Sequence, residues 1–178
     1  MKIFIDPGHG GENNPGAIGV NGLREADVNL DVALRLGRIL QEAGYRVNYS
    51  RTENVSVSLA ERARMANEWG ANYFVSIHCN SNINPIYTGC ETYYYREGTT
   101  SERFAIAVNN ALAEETGLYN IGTHSANFAV LRLTYMPAIL VELALLSNPE
   151  DAQKLSEPAF RQLCAQGIAN GIFEFVPL

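Results

Sequence analysis

The pattern of hydrophobic and polar positions alternates between short strand-like runs and longer helical repeats. Six runs are rich in β-branched and aromatic residues and are bounded by Gly, Pro, Asn or Asp, which is typical of strands. These predicted strands span residues 3–5, 45–49, 73–78, 92–95, 128–131 and 139–143. The chain contains no internal repeat and no low-complexity linker that would divide it.

Apolar residues recur at helical spacing between these runs. Residues 28–43 form one such pattern, and Gly44 is well placed to end the helix because glycine tolerates the left-handed conformation found there. The Ser-x-x-Glu sequence at 58–61 is a capping box that predicts the start of a second helix. Asn-Pro at 148–149 predicts a further short helix, and residues 159–175 predict a closing amphipathic one.

Strands that alternate with helices of this length imply crossover connections and a largely parallel sheet. The sequence therefore predicts an α/β fold in which helices cover both faces of the sheet. In such folds ligands bind beyond the carboxyl ends of the strands. Residues that directly follow a strand are consequently the first candidates for function.

Length and composition agree with one ordinary globular unit. The chain has 178 residues, of which 47% are hydrophobic and 18% charged, and this balance argues against a disordered protein. We expect residues 1–178 to form a single domain. No apolar run reaches the roughly 20 residues that a membrane helix needs, so we expect no membrane insertion.

Charge and cysteine content exclude several other classes of protein. The formal net charge of -6 is opposite to that of a typical nucleic-acid-binding domain, so no nucleic-acid partner is expected. The three cysteines show no close pairing, which indicates neither a disulfide framework nor a thiolate zinc site. The first residues lack the apolar core and cleavage site of a signal peptide, which leaves three alternatives: the chain acts where it is made, it is exported by another route, or it is an excised domain.

Four chemically versatile side chains are predicted to converge on one edge of the sheet. His9 follows the first strand in a glycine-rich turn, His78 ends the third, and Glu142 interrupts the last apolar strand. Glu25 lies just before the first long helix. The remaining histidine, His124, lies in a polar segment and is expected to be solvated or to touch substrate.

Two imidazoles and one carboxylate, with one position left open for water, make a catalytic zinc site. His9, Glu25 and His78 could supply these ligands, and Glu142 could then act as a general base. Structural roles remain open for the first three, because histidines after strands are often only hydrogen-bonded and first-turn acids stabilise helices. A carboxylate inside an apolar strand is harder to explain structurally, since burying it unpaired is costly.

Eight motifs, in order along nearly the whole chain, resemble the Amidase_3 family of zinc-dependent N-acetylmuramoyl-L-alanine amidases, which are bacterial autolysins and phage lysins. The motifs are IDPGHGG at 5–11, GAIG at 16–19, NGLREADVNL at 21–30, SRTENVSVSLAERARMAN at 50–67, SIHCNS at 76–81, GCETYYY at 89–95, ANFAVLR at 126–132 and MPAILVELALLSNPED at 136–151. The resemblance implies a twisted, mostly parallel six-stranded sheet flanked by helices on both faces. The sequence departs from the family pattern at Ile121, where arginine is common, and at 143–144, where Gly-Phe is usual.

The resemblance also implies site residues, a cofactor and a substrate. His9, Glu25 and His78 would bind one zinc ion, and Glu142 would be the catalytic acid/base. The substrate would be peptidoglycan, cut at the amide between N-acetylmuramic acid and L-alanine. Two asparagines in the matching segments are candidate substrate contacts, although a structural turn role is an equal alternative for each. They are Asn80 and Asn127.

The same resemblance predicts action outside the cytoplasmic membrane, in the cell wall or periplasm or in the extracellular space. We expect a monomer, and the origin of the chain, bacterial or phage, stays open. Two other functions also remain open. One is a wall-binding module without catalytic activity, and the other is a zinc peptidase that cuts within the stem peptide.

Overall fold

The structure is a computed structural model that describes residues 1–178, and it contains one six-stranded sheet with helices on both faces. The order of strands across the sheet is β2-β1-β3-β6-β4-β5. All neighbouring strands pair in parallel except β4 and β6, which are antiparallel. The predicted α/β fold, with a mostly parallel sheet, is therefore confirmed.

Six strands and six helices make up the fold. The strands are β1 (Lys2–Pro7), β2 (Arg46–Tyr49), β3 (Tyr73–Asn80), β4 (Cys90–Tyr94), β5 (Asn120–Ser125) and β6 (Ala138–Leu145). The helices are α1 (Glu25–Glu42), α2 (Leu59–Trp69), α3 (Thr100–Thr116), α4 (Ala129–Arg132), α5 (Pro149–Ser156) and α6 (Pro158–Phe175). No helix is long and apolar enough to cross a lipid bilayer.

The predicted helix starts agree with the observed caps. The Ser58 side chain accepts a hydrogen bond from the backbone N–H of Glu61, 3.2 Å away, at the start of α2. The Asn148 side chain accepts bonds from two first-turn N–H groups of α5, whose first residue is Pro149. These side chains satisfy N–H groups that would otherwise lack a partner inside the helix.

The predicted strand at 128–131 is wrong. That segment forms the short helix α4, and the fifth strand is Asn120–Ser125 instead. A short apolar run cannot be assigned to strand or helix by periodicity alone, and Val130 and Leu131 are buried here as part of a helical turn. The true fifth strand was missed because it is a polar edge strand, which needs only one bonded neighbour and no apolar run. The sequence pattern also left α3 unassigned.

The two faces of the sheet are covered unequally. A large apolar cluster, with residues from α1, α3 and α6, fills one face, while a much smaller one containing α2 and α4 residues covers the other. We call these the thick face and the thin face. Along β3, Val75 and Ile77 point to the thick face, so Phe74 and the alternating positions after it point to the thin face.

Two glycines allow α6 to lie very close to α3 on the thick face. A Cβ atom added at Gly171 would lie 2.5 Å from the Val108 Cα, and one at Gly167 would lie 2.8 Å from the Leu112 Cα. Both nearby atoms belong to backbone, which cannot move aside as the end of a flexible side chain would. The helix spacing therefore depends on the absence of side chains at these two positions.

We expect Gly171→Ala to destabilise the protein although alanine is the better helix former. Propensity alone would add about 1 kcal/mol of stability, but forcing the helices apart costs about 1–3 kcal/mol. Urea denaturation measures the difference, with Glu174→Ala on the exposed side of the same helix as the control. An increase in the free energy of unfolding for Gly171→Ala would contradict the close packing described here.

Candidate functional site

The turn after β1 holds His9 in a strained backbone conformation. His9 has a φ of 59°, and it is the single non-glycine residue with a positive φ. A left-handed conformation at such a residue costs about 1–3 kcal/mol and persists only where the surroundings enforce it. The neighbouring glycines at 10 and 11 also have positive φ, which they adopt without that cost.

Arg62 from α2 provides much of that enforcement. Its guanidinium forms a fully buried ion pair with Asp6 at 2.8 Å and donates to the carbonyls of Pro7 at 2.6 Å and His9 at 2.7 Å. Asp6 also accepts hydrogen bonds from Ser50 and Ser76. The end of β1 and the turn that carries His9 are therefore tied to α2 by one charged network.

A second buried arginine holds the same turn from another side. Arg51 donates to the carbonyls of Pro7 at 3.0 Å and Gly8 at 3.0 Å, and to that of Ala26 in α1 at 2.9 Å. These bonds give a charged donor to one carbonyl at the end of β1, one in the turn and one in α1. They also connect the turn to the first residues of α1, where Glu25 lies.

Glu25 is the first residue of α1 and is almost fully buried. Its carboxylate accepts hydrogen bonds from the backbone N–H groups of Ala17 at 2.7 Å and Cys79 at 3.1 Å. The amide of Asn29, one turn later, donates to the same carboxylate at 3.3 Å and to the Gly8 carbonyl at 3.2 Å. The carboxylate is thus oriented by donors from three separate segments.

The structure brings His9, Glu25 and His78 together as the sequence predicts. One ligand atom from each lies within 4.8 Å of the others. His9 Nε2 is 3.4 Å from one carboxylate oxygen of Glu25, and His78 Nδ1 is 3.0 Å from the other. Burial by itself raises the pKa of Glu25, but the two imidazoles outweigh it and hold that pKa well below its usual range. The hydrogen bond with Glu25 in turn raises the pKa of His9.

Three local features fit this group to a metal ion. The Nδ1 atom of His9 lies 2.8 Å from the Asn14 Oδ1, and this contact places the proton on Nδ1 and leaves Nε2 as a lone-pair donor. A Cβ atom at Gly8 would lie 2.2 Å from the His78 ring, and one at Gly16 would lie 2.5 Å from the Glu25 carboxylate. Only glycine at these positions leaves room for the three side chains to converge. Two imidazoles and one carboxylate are also a donor set that suits zinc.

Glu142 lies beside this group on the thin face. It is paired in register with His78 across the β3–β6 ladder, so the two side chains point to the same face. Its Oε2 atom is buried and has no hydrogen-bond partner. Burial raises the pKa of Glu142 to about 7, a value that allows a carboxyl group both to accept and to return a proton near neutral pH.

All four side chains line one cleft of about 360 Å³ at the carboxyl ends of β3 and β6. The other wall is apolar and comes from the start of α2, the α4 segment and β6. Its side chains are Leu59, Phe128, Ala129, Val130 and Leu140. An apolar wall facing a few convergent polar groups is typical of sites that bind organic ligands.

The two predicted substrate contacts are placed differently. Asn80 lines the cleft, but its Nδ2 donates to Glu91 at 2.5 Å and its Oδ1 accepts from the Ser81 N–H at 2.8 Å. Asn127 is exposed, does not line the cleft, and accepts a hydrogen bond from Arg132. A substrate-binding role for either asparagine stays a prediction.

Several residues that build the site were missed by the sequence analysis. Three arginines lie within 51–64, and no sequence signal separates Arg51 and Arg62, which are buried, from Arg64, which is exposed. The sequence pattern could have identified Glu91 as a candidate site residue, because Glu91, like Glu142, interrupts an apolar strand. It was missed because the predicted strand began at residue 92, two residues after the observed start of β4 at Cys90. The departures from the family pattern at 143–144 lie in the thick-face core, away from the cleft.

Comparison with known proteins agrees with this geometry. Residues 3–174 match the Amidase_3 family profile, described as N-acetylmuramoyl-L-alanine amidase. The chain belongs to the Amidase_3 family. It is 41% identical over 175 residues to a sporulation-specific N-acetylmuramoyl-L-alanine amidase of Bacillus subtilis, covering 97% of this chain and 67% of that protein. It is 33% identical over 183 residues to an endolysin of Bacillus phage SPP1, covering 99% of this chain and 66% of that protein.

The fold of this Amidase_3 chain is shared with solved amidase domains. The catalytic domain of CwlV, an amidase from Bacillus (Paenibacillus) polymyxa var. colistinus, superposes with a TM-score of 0.93 at 37% identity. That comparison covers 98% of this chain and 97% of the other. The chain is thus an enzyme of the N-acetylmuramoyl-L-alanine amidase type, and it spans about two thirds of the length of the two full-length relatives named above.

We expect Arg62→Met to lower the free energy of unfolding by about 3–5 kcal/mol, because it leaves Asp6 as a buried charge without its partner. Urea denaturation measures this loss. Arg64→Met is the matched control, since Arg64 lies on the same helix but its ion pairs are exposed. Similar, small losses for both variants would show that the buried ion pair does not support the turn.

Glu142 should also make the stability of the metal-free amidase depend on pH. The folded-state pKa of Glu142 is raised from 4.5 to about 7, so the folded protein binds the proton more tightly than the unfolded chain does. Stability from this group is therefore present at low pH and lost as the pH rises through about 7. In chelator-treated protein, Glu142→Gln should flatten the decline in free energy of unfolding between about pH 5 and about pH 8. Parallel pH profiles for parent and variant would contradict the burial of this carboxylate.

Proposed function

We propose that this protein is a zinc-dependent amidase that hydrolyses the bond between N-acetylmuramic acid and L-alanine in peptidoglycan. The observation that carries the proposal is the group formed by His9, Glu25 and His78, with Glu142 beside it in the same cleft. The names of the relatives support the choice of bond, because two of them are amidases of this specificity.

The ligands of a single zinc ion would be His9, Glu25 and His78. Hydrogen bonds with neighbouring groups orient these side chains for that role. A zinc ion bound there supplies a Lewis acid that polarises the scissile carbonyl and makes water acidic enough to attack near neutral pH. The residues around the ligands do the positioning. Asn14 orients His9, while Asn29 and two backbone N–H groups orient Glu25.

Glu142 would move the proton. Its carboxylate takes a proton from the attacking water as the new C–O bond forms at the lactyl carbonyl. It then returns that proton to the alanine nitrogen as the C–N bond breaks, and the remaining proton of the water is divided between the products, which leave as a carboxylate and an ammonium group. The Oε2 atom of Glu142 has no hydrogen-bond partner, and the pKa of this carboxyl group is raised. Both features suit a group that must change protonation state in each catalytic cycle.

The site of action would be the cell wall, on the outer side of the cytoplasmic membrane, where the proposed substrate lies. We further propose that residues 1–178 form a single catalytic domain and act as a monomer. A formal net charge of -6 would not hold the domain on an anionic wall, so attachment would have to come from elsewhere.

Digestion of purified peptidoglycan tests the proposed reaction. The expected products are new L-alanine amino termini without new reducing sugar ends, and a chelator should abolish their formation. Other amino termini would identify a peptidase instead, and binding to peptidoglycan without any new terminus would identify a wall-binding module. Either result would overturn the proposed function.

Two substitutions separate the metal ligands from the acid/base group. Glu142→Ala should keep zinc but lower hydrolysis by at least about a hundredfold, because the proton carrier is lost. His78→Ala should lower both zinc content and hydrolysis, since it removes a ligand. Metal analysis and release of L-alanine amino termini measure the two effects, with Glu114→Ala on the exposed side of α3 as the control. Full activity of Glu142→Ala would contradict the proposed mechanism.

A further inference from the structure

A row of polar side chains continues across the thin face beyond the proposed catalytic group. His78 is paired in register with Glu142 across β3 and β6, and Glu142 is paired with Glu91 across β6 and β4. One pair further along β4, Tyr93 is opposite His124 on β5. Because paired residues share a face, these side chains form a continuous polar strip from the candidate metal ligands to the edge of the sheet.

Glu91 has no evident structural reason to be an acid. It is 8% exposed, and it lies directly opposite a second carboxylate, that of Glu142 on the neighbouring strand, whose Oε2 atom is buried. Like charges opposite each other on a sheet are destabilising, and burying a carboxylate costs further free energy unless it is well paired. Apart from His124, 3.5 Å away and half exposed, no basic group pairs with it.

The hydrogen bonds of Glu91 instead organise the side chains that border the cleft. One carboxylate oxygen accepts from the Asn80 amide at 2.5 Å and from the Tyr93 hydroxyl at 2.9 Å. The other oxygen faces the Nε2 atom of His124. The Tyr93 ring packs edge-on against Phe128, a cleft-wall residue, at a centroid distance of 5.3 Å. A single carboxylate thus fixes residues on three separate segments.

We propose that Glu91 and His124 form the part of the active site that holds the stem peptide beyond its first alanine. Glu91 is a positioning residue, and His124 is a specificity-determining residue that contacts the peptide. The carboxylate favours the proton on Nε2 of His124, which leaves Nδ1 free to accept a hydrogen bond from a peptide N–H. This inference rests on the proposed function.

The direction of the peptide follows from the position of Glu142. Glu142 must reach the alanine nitrogen, and it lies on β6, on the opposite side of His78 from His9. The peptide that begins with this nitrogen therefore leaves the metal group toward β4 and β5. On that side the polar strip offers partners for peptide amides, whereas the other wall of the cleft is apolar.

The length of the strip sets how much peptide it can hold. Two strand spacings separate β6 from β5, a distance of about 10 Å. An extended peptide covers about 3.3–3.6 Å per residue, so this distance corresponds to roughly three residues. Glu91 and His124 should consequently affect substrates that carry a tripeptide and leave those that end at alanine almost unaffected.

The test compares two synthetic substrates with the zinc-loaded protein, muramoyl-L-alanine N-methylamide and a muramoyl tripeptide. Glu91→Gln and His124→Ala should each lower kcat/KM for the tripeptide by about tenfold, as expected for the loss of one hydrogen bond, and for the short substrate by less than about twofold. Because the two residues act together, the double variant should lose little more than either single one. Ser125→Ala, on the same strand but on its other face, is the control and should change neither value.

Thermal stability distinguishes the proposed positioning role of Glu91 from a purely structural role. Glu91→Gln removes one of two facing carboxylates, so its melting temperature should be equal to or above that of the parent. A lower melting temperature together with equal losses on both substrates would show that Glu91 only supports the fold. Unchanged kcat/KM for the tripeptide would equally overturn the inference. If the parent protein released no L-alanine amino terminus from either substrate, the proposed function itself would fail, which is a separate result.

Discussion

The buried ion pair between Asp6 and Arg62 is the interaction on which the site depends. It joins the end of β1 to α2, and the same guanidinium holds the carbonyl of His9, whose backbone would otherwise leave its left-handed conformation. A buried pair of this kind adds little net stability compared with apolar packing, but losing one partner is costly. The main contribution of this network is therefore to orient His9, a candidate metal ligand. The conformational preferences of strands and helices alone would not hold His9 in that orientation.

Unequal coverage of the sheet explains where chemistry is possible. The thick face is closed by three long helices and the larger apolar cluster, whereas α2 and the short α4 contribute to a much smaller cluster on the thin face. Strand alternation then sends Asp6, His78, Glu91 and Glu142 to the thin face. The strained turn at His9 and the facing carboxylates of Glu91 and Glu142 both lower the stability of the protein. Burial of apolar side chains on the thick face compensates for this loss.

Different surroundings give the two central carboxylates opposite protonation behaviour. Glu25 lies between two imidazoles and accepts several N–H bonds, so it stays ionised, as a metal ligand must. Glu142 is largely desolvated and has one oxygen without a partner, so its pKa rises to about 7. Divergent pKa values of neighbouring acids are a common basis for dividing roles within one active site.

The sequence by itself determined the α/β class, the convergence of His9, Glu25, His78 and Glu142, and the family. These follow from hydrophobic periodicity and from strand ends that must meet at one edge of a parallel sheet. Only the tertiary structure decided that residues 128–131 form a helix and that 120–125 form the edge strand, since short segments take their conformation from their neighbours. It also decided which arginines are buried, because the bonds of Arg51 and Arg62 join segments that are distant in sequence. No local pattern encodes such contacts.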